Sequence, residues 1–196
     1  MLEKFPKEPR KETLHRLHSL PSESPDAILL RRGISPEAIA PAKRVVHNVG
    51  IPLTSDEIVR SIFTPRPQNE TPFRRSRFGD GSIPVFYAAL EPETAIDEVA
   101  YHTRNSLDDL RTGKNPFPRF YSILSSQYEG MTSILIGKEA QHPDLVSNTD
   151  AGYPFCQALG KEAGNQNVDG FLTPSARRMS GTCTPVFAEK TLSQIR

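Results

Sequence analysis

Arg77, Tyr87 and Glu98 lie at close, regular intervals across one strand-to-helix unit, Arg77-Phe78-Gly79-Asp80-Gly81 through Phe86-Tyr87-Ala88-Ala89 to Thr94-Ala95-Ile96-Asp97-Glu98. A guanidinium fork matches phosphate oxygens, and an aromatic ring packs on a flat base or pyridine. A carboxylate stabilises positive charge developing on a sugar carbon. A ligand with phosphates, a flat ring and a cationic sugar centre would use all three, and nicotinamide adenine dinucleotide (NAD) has each of them.

Each residue also has a plainer reading. Glu98 on a helix surface would merely solvate the domain, but it falls beside Ala95, at the edge of the apolar stripe. Arg77 belongs to Arg74-Arg75-Ser76-Arg77, and a short basic run is usually a solvated face. Gly79 and Gly81 set this one apart, because glycine lets backbone approach a ligand closely. Tyr87 would be an ordinary core aromatic if its phenol did not need a polar partner. Ser175, after Asp169-Gly170-Phe171-Leu172-Thr173-Pro174, is either a turn serine bonding its own backbone or a strand-end hydroxyl offered to a ligand. No Gly-x-Ser-x-Gly elbow accompanies it, so a serine hydrolase is not supported.

The elements that must position these groups follow from patterning. Leu14, Leu17 and Leu20 at helical spacing, then helix starts at Ser24-Pro25-Asp26 (closing at Gly33) and Ser35-Pro36-Glu37 (limited by Pro41), predict a helical extension over residues 1–50. Residues 51–196 form the main domain. There Ile58 to Phe63 reads as a strand, Thr64 to Arg77 as a polar connection, and Val85 to Leu90 as a central strand apolar on both faces. Pro92 starts a helix expected to carry Ala95, Ile96 and Val99 into the core. Phe120–Leu124 and Thr132–Ile136 read as strands, Tyr153–Ala163 as a helix, and Val168–Leu172 and Pro185–Phe187 as the last strands.

Composition narrows the function classes. Lys plus Arg (24) nearly balances Asp plus Glu (23), leaving a net charge of +1, so no global field draws the chain to nucleic acid or to an anionic membrane. The two cysteines, Cys156 and Cys183, and the five histidines make no metal-ligand spacing. No apolar run approaches a membrane span, and Met1-Leu2-Glu3-Lys4 lacks a signal-peptide core, so a cytoplasmic protein with reduced thiols is expected.

Taken together, the Arg77-Phe78-Gly79 loop, the Tyr87 strand, the Glu98 helix and the late Pro174-Ser175-Ala176-Arg177 block with Gly181 and Pro185-Val186-Phe187 resemble the RES domain. This is a family of bacterial toxins from toxin–antitoxin pairs, named for its Arg, Glu and Ser positions. The resemblance runs from about Ile58 to Arg196. Where the family often has Gly before the loop arginine and Asn soon after, this chain has Ser76 and Gly79-Asp80.

The resemblance implies an α+β fold like that of ADP-ribosyltransferases, with bent, mostly antiparallel sheets and surrounding helices. It implies NAD as a substrate rather than a resident cofactor, cleaved at the nicotinamide–ribose bond with water or inorganic phosphate as acceptor. It further implies a helix-turn-helix antitoxin as partner and, as for many members, a homodimer. On this reading Glu98 stabilises the ribosyl cation, Arg77 grips the pyrophosphate beside Phe78 and Gly79, Tyr87 meets the nicotinamide, and Ser175 fixes the carboxamide or ribose. Arg60 and Arg177 are further candidates for phosphate. The rival classes are a protein ADP-ribosyltransferase on the same scaffold, a ribonuclease using Arg74, Arg75 and His102, and a catalytically silent binding module. The second is disfavoured by near-zero net charge and the lack of a basic groove studded with aromatics.

Overall fold

The computed structural model describes residues 1–20, 35–39, 41, 54–66, 72–110, 120–147 and 149–196. It contains strands β1 (Lys7–Leu20), β2 (Phe86–Ala89), β3 (Phe120–Ile134), β4 (Gly170–Pro174), β5 (Thr182–Val186) and β6 (Leu192–Ser193). The α-helices are α1 (Ser55–Phe63), α2 (Pro92–Leu110) and α3 (Tyr153–Asn165).

The strands follow the order β1-β2-β5-β4-β3-β6, and a further β1–β3 pairing closes the first five into a ring. Every pairing is antiparallel except β3 with β4. β3 gives one edge to β1 from Phe120 to Ser133, while its other edge is shared, residues 132–134 taking β4 and residues 127–128 taking β6. The closure between β1 and β2 is narrow, a single register pair of His15 with Ala89. The mixed α+β class and the mostly antiparallel sheet agree with expectation.

The helical reading of Leu14 and Leu17 is corrected, because residues 7–20 form a strand. Leu14 is buried with Val59, Phe86, Ala88, Tyr128 and Val186 on one face of the sheet. Leu17 lies on the opposite face, lining a hollow with Ile96 and Val99 of α2. A strand covered on both faces needs apolar residues at odd spacings, which imitates a helix in sequence. A 3-10 turn over Pro36–Ala38 answers the Ser35-Pro36 start signal. The helix expected from Ser24 to Gly33 lies outside the described residues.

Ile58 to Phe63 is also corrected, from strand to helix. Thr54 Oγ1 accepts the Glu57 N–H at 3.2 Å while Glu57 returns a carboxylate oxygen to the Thr54 N–H at 2.9 Å, a reciprocal cap that nucleates α1. Ile58 and Val59 then pack inward with Ile62 and Phe63 one turn on. The two strands expected around residue 128 are one, since Ser125 to Met131 continues the ladder with β1. In α2 the buried face is Thr94, Ala95 and Glu98, whereas Ile96 is 42 % exposed and Val99 only half-buried.

Side-chain alternation in β2 separates two cores. Phe86 and Ala88 join the Leu14 cluster. Tyr87 faces the other way, against a second cluster of Leu2, Phe5, Phe78, Leu145, Leu159 and Phe171 beneath α3. The candidate residues gather on this second face, between α2 and α3.

Candidate active site

Arg77 and Phe78 form the tip of a tight turn, closed by reciprocal backbone bonds between Ser76 and Gly79 (2.7 and 3.4 Å). A Cβ at Gly79 would stand 2.6 Å from Val85 Cγ2, so any larger residue there must displace that side chain. The turn is pressed inward by α3, whose Gly160 sits so close that a Cβ there would meet the Phe78 carbonyl oxygen at 1.9 Å. Gln157 of the same helix donates to the Ser76 carbonyl at 3.0 Å. A turn that a sequence reader would place in solvent is thereby buried, with Phe78 fully enclosed and Arg77 only 5 % exposed.

The guanidinium of Arg77 spends its fork on backbone. Nη1 donates to the Leu145 carbonyl at 3.0 Å and Nη2 to the Ser147 carbonyl at 2.9 Å, while the group lies 5.7 Å from the Tyr153 ring centroid. Two of its five N–H donors therefore hold the 145–147 turn, and the charge stays in the floor of the site. Tyr87 stacks on Phe78 with ring centroids 6.5 Å apart. Burial pushes its phenol well above the ordinary value, reinforced by Cys183 and Glu98 and opposed by Arg77, so it stays protonated.

Glu98 is 7 % exposed, one turn beyond Thr94 on the inward face of α2. The first turn of that helix is anchored where Thr94 Oγ1 donates to Glu91 Oε2 at 2.7 Å and the Thr182 N–H donates to the same oxygen at 3.0 Å. Ser175 Oγ donates to Glu98 Oε1 at 2.6 Å, and the Cys183 thiol donates to the same oxygen at 3.4 Å. The Ser175 hydroxyl accepts in turn from the backbone N–H groups of Arg177 (3.0 Å) and Arg178 (3.1 Å). Arg178 pins this loop to α2 through Asp97, with Nη1 to Oδ2 at 2.8 Å.

Arg177 places its guanidinium 3.5 Å from the Tyr101 ring centroid, a close cation–π contact. Tyr153 and His102 each feel Glu98, Arg77 and Arg177 electrostatically. Burial raises the Tyr153 phenol and lowers the His102 imidazole. Arg77, Phe78, Gly79, Tyr87, Glu98, Ser175 and Arg177 are thus brought to one place. Arg60 is not among them: it stands exposed on α1, lining a different hollow with Asp56, Glu189 and Lys190.

Three site residues escaped the sequence reading. Cys183 looked like an ordinary thiol, and Tyr153 was read only as the first residue of a helix. Arg16 was hidden by the helical reading of β1; its Nη1 donates to the Tyr87 carbonyl at 2.5 Å and its guanidinium lies 5.3 Å from the Phe86 ring centroid. Burial, with Arg74 nearby, lowers this arginine to about 10. Its signal in sequence was an arginine framed by two leucines.

Among the described residues no group of His, Cys, Asp and Glu is arranged to hold a metal, and no helix is long and apolar enough to cross a membrane. What the arrangement offers is one desolvated carboxylate, held by neutral donors and ringed by aromatics and arginines. Such a group can stabilise a cationic transition state far better than a solvated one.

No curated protein matches the sequence. Among solved structures the fold is similar to the M. tuberculosis MbcT–MbcA toxin–antitoxin complex, with a TM-score of 0.50 at 15 % identity, covering 100 % of this chain and 88 % of that one. The family model described as the RES domain matches residues 54–195, a stretch that spans the Arg77 turn, Tyr87, Glu98, Ser175 and Cys183. The chain belongs to the RES domain family.

Proposed function

We propose that this protein is the toxin of a toxin–antitoxin pair and that it breaks the nicotinamide–ribose bond of NAD in the cytoplasm. The observation that carries this reading is the Glu98 carboxylate, buried among Tyr87, Ser175 and Cys183 with Arg77 and Arg177 in electrostatic reach of the same site. Nicotinamide leaves a cationic ring as a neutral molecule, so the step needs no general acid. The barrier lies in the positive charge that grows on the ribose, which a carboxylate in a water-poor site is suited to oppose.

In this mechanism the protein binds Glu98 through Oε1, and Oε2 addresses the ribose. Tyr87, protonated and stacked on Phe78, packs against the nicotinamide end. Arg77 supplies fixed positive potential from the floor while holding the 145–147 turn, and its remaining donors with those of Arg177 face the pyrophosphate. Ser175 acts on the substrate through Glu98. Arg60 is too far along α1, in another hollow, to share in this site. The acceptor is water or inorganic phosphate.

The MbcT–MbcA neighbour is a toxin–antitoxin complex, which supports an antitoxin partner for this chain. The helix-turn-helix type of that partner and a homodimeric toxin are part of the proposal on the family resemblance alone. Incubating the purified protein with NAD, with and without phosphate, tests the enzymatic reading by product mass. Free nicotinamide is expected in both reactions if water accepts, and a phosphorylated ADP-ribose appears only with phosphate if phosphate does. Intact NAD after incubation with folded protein would sink the proposal, and ADP-ribose found on protein would redirect it to a transferase.

A further inference from the structure

Cys183 has no role in the reading above beyond a contact, yet its placement is unusually constrained. It sits in β5, an interior strand, paired in register with Ala89 of β2 and Thr173 of β4. Its side chain is fully buried. The thiol donates to Glu98 Oε1 at 3.4 Å, on the same oxygen that Ser175 bonds at 2.6 Å. The Tyr87 phenol and the Ser175 hydroxyl stand close enough to act on the same thiol electrostatically. One Glu98 oxygen therefore takes a thiol from β5 and a hydroxyl from the end of β4, beside the Tyr87 phenol of β2.

We propose that Cys183 is a positioning residue, whose S–H proton, with that of Ser175, fixes Glu98 Oε1 and so turns Oε2 toward the sugar; the proposal rests on Glu98 being the carboxylate that meets the ribose. Burial among Glu98 and apolar neighbours keeps the thiol protonated, which suits a donor and excludes a nucleophile. The position in a sheet interior matters physically. Ser175 lies just beyond the end of β4, whereas β5 is held on both edges, so the sulfur supports the carboxylate from within the sheet.

The test compares Cys183→Ala, Cys183→Ser and Cys183→Val in nicotinamide release from NAD, with melting temperature recorded for each. Because a thiol is a weak donor, loss of its bond is expected to act like loss of an ordinary hydrogen bond, with kcat about five- to tenfold lower in Cys183→Ala and Cys183→Val and KM within about twofold. Cys183→Ser, which keeps a donor, restores most of that turnover. Cys183→Ala turning over like the native protein overturns the inference, as does a Ser variant as slow as the Ala variant. Absence of nicotinamide release from the native protein itself would instead overturn the reading of the site. A second readout is independent of turnover: the S–H stretching band assigned by its loss in Cys183→Ala moves when Glu98→Gln replaces the carboxylate. A band unmoved by that change means no bond between the two groups, and the inference falls even if every variant is poorly folded.

Discussion

Ser175 donates its hydroxyl proton to Glu98 Oε1 across 2.6 Å, joining residues 77 positions apart in sequence. The same hydroxyl accepts two backbone N–H groups, so it is saturated and its orientation is set. The serine of the family pattern is thus bonded to the glutamate of the same pattern.

Glu98→Gln keeps the size of the side chain and removes the charge. Turnover is expected to fall by roughly 10²–10³-fold, the order seen when a preorganised electrostatic contact is lost, with NAD affinity largely preserved. Nicotinamide release and calorimetric titration with NAD measure the two separately. Near-normal turnover in the glutamine variant would remove Glu98 from the mechanism.

Ser175→Ala unties both Glu98 Oε1 and the Arg177–Arg178 loop. A hydrogen bond to a charged group predicts a loss of about 1.5–3 kcal/mol in stability, visible in denaturant unfolding. Because serine and glutamate share one contact, the double variant with Glu98→Gln should cost less activity than the product of the single losses. Fully multiplicative effects would show that the two residues act independently.

Arg77→Lys keeps the charge and loses the two-pronged hold on the Leu145 and Ser147 carbonyls. The expected outcome is a stability loss of about 1–3 kcal/mol together with a raised KM for NAD. An arginine that only contacted ligand would leave the melting temperature of the free protein unchanged, and that result would refute its structural part.

Gly160→Ala sets two effects in opposition. Alanine in a helix interior gains roughly 1 kcal/mol over glycine. Its Cβ, however, would lie 1.9 Å from the Phe78 carbonyl oxygen, which is backbone and cannot swing aside. Overpacking costs of about 1–3 kcal/mol win, so the variant should unfold earlier and lose activity as the Arg77 turn is displaced. A stabilised, active variant would contradict the packing of α3 on that turn.

His18 and His102 are both held below the ordinary imidazole value of 6.5, first by burial and then by neighbouring arginines, with Glu98 opposing the effect on His102. As the pH falls through about 6.5 the unfolded chain binds these protons before the folded chain does, so stability should decline from there and level off once the folded rings are also charged. Melting temperatures across this range check the slope, and His18→Gln should remove part of it. A melting temperature independent of pH between neutrality and pH 5 would show both rings to be solvated.

The strands and helices that carry the site were legible where local rules and tertiary demands agree. The Pro92 helix, the apolar β2 and the α3 helix all have patterning that no competing element shares. The misreadings have definite causes. Ile58-Val59 looked like strand because β-branched residues favour it, yet the Thr54–Glu57 cap decides the matter by satisfying two backbone donors at once. Leu14 and Leu17 looked helical because a strand buried on both faces loses its alternation. Ile96 looked like core because helix periodicity alone does not say which face meets the sheet.

By itself the sequence determined which chemical groups this protein carries at Arg77, Tyr87, Glu98 and Ser175, since a motif in the right order is a local property of the chain. Only the tertiary structure decided what those groups touch. Arg77 bonded the Leu145 and Ser147 carbonyls, Ser175 bonded Glu98, and Cys183, Tyr153 and Arg16 joined the site. Desolvation and hydrogen-bond pairing depend on neighbours supplied by distant segments, and sequence separation carries no record of them until the sheet closes.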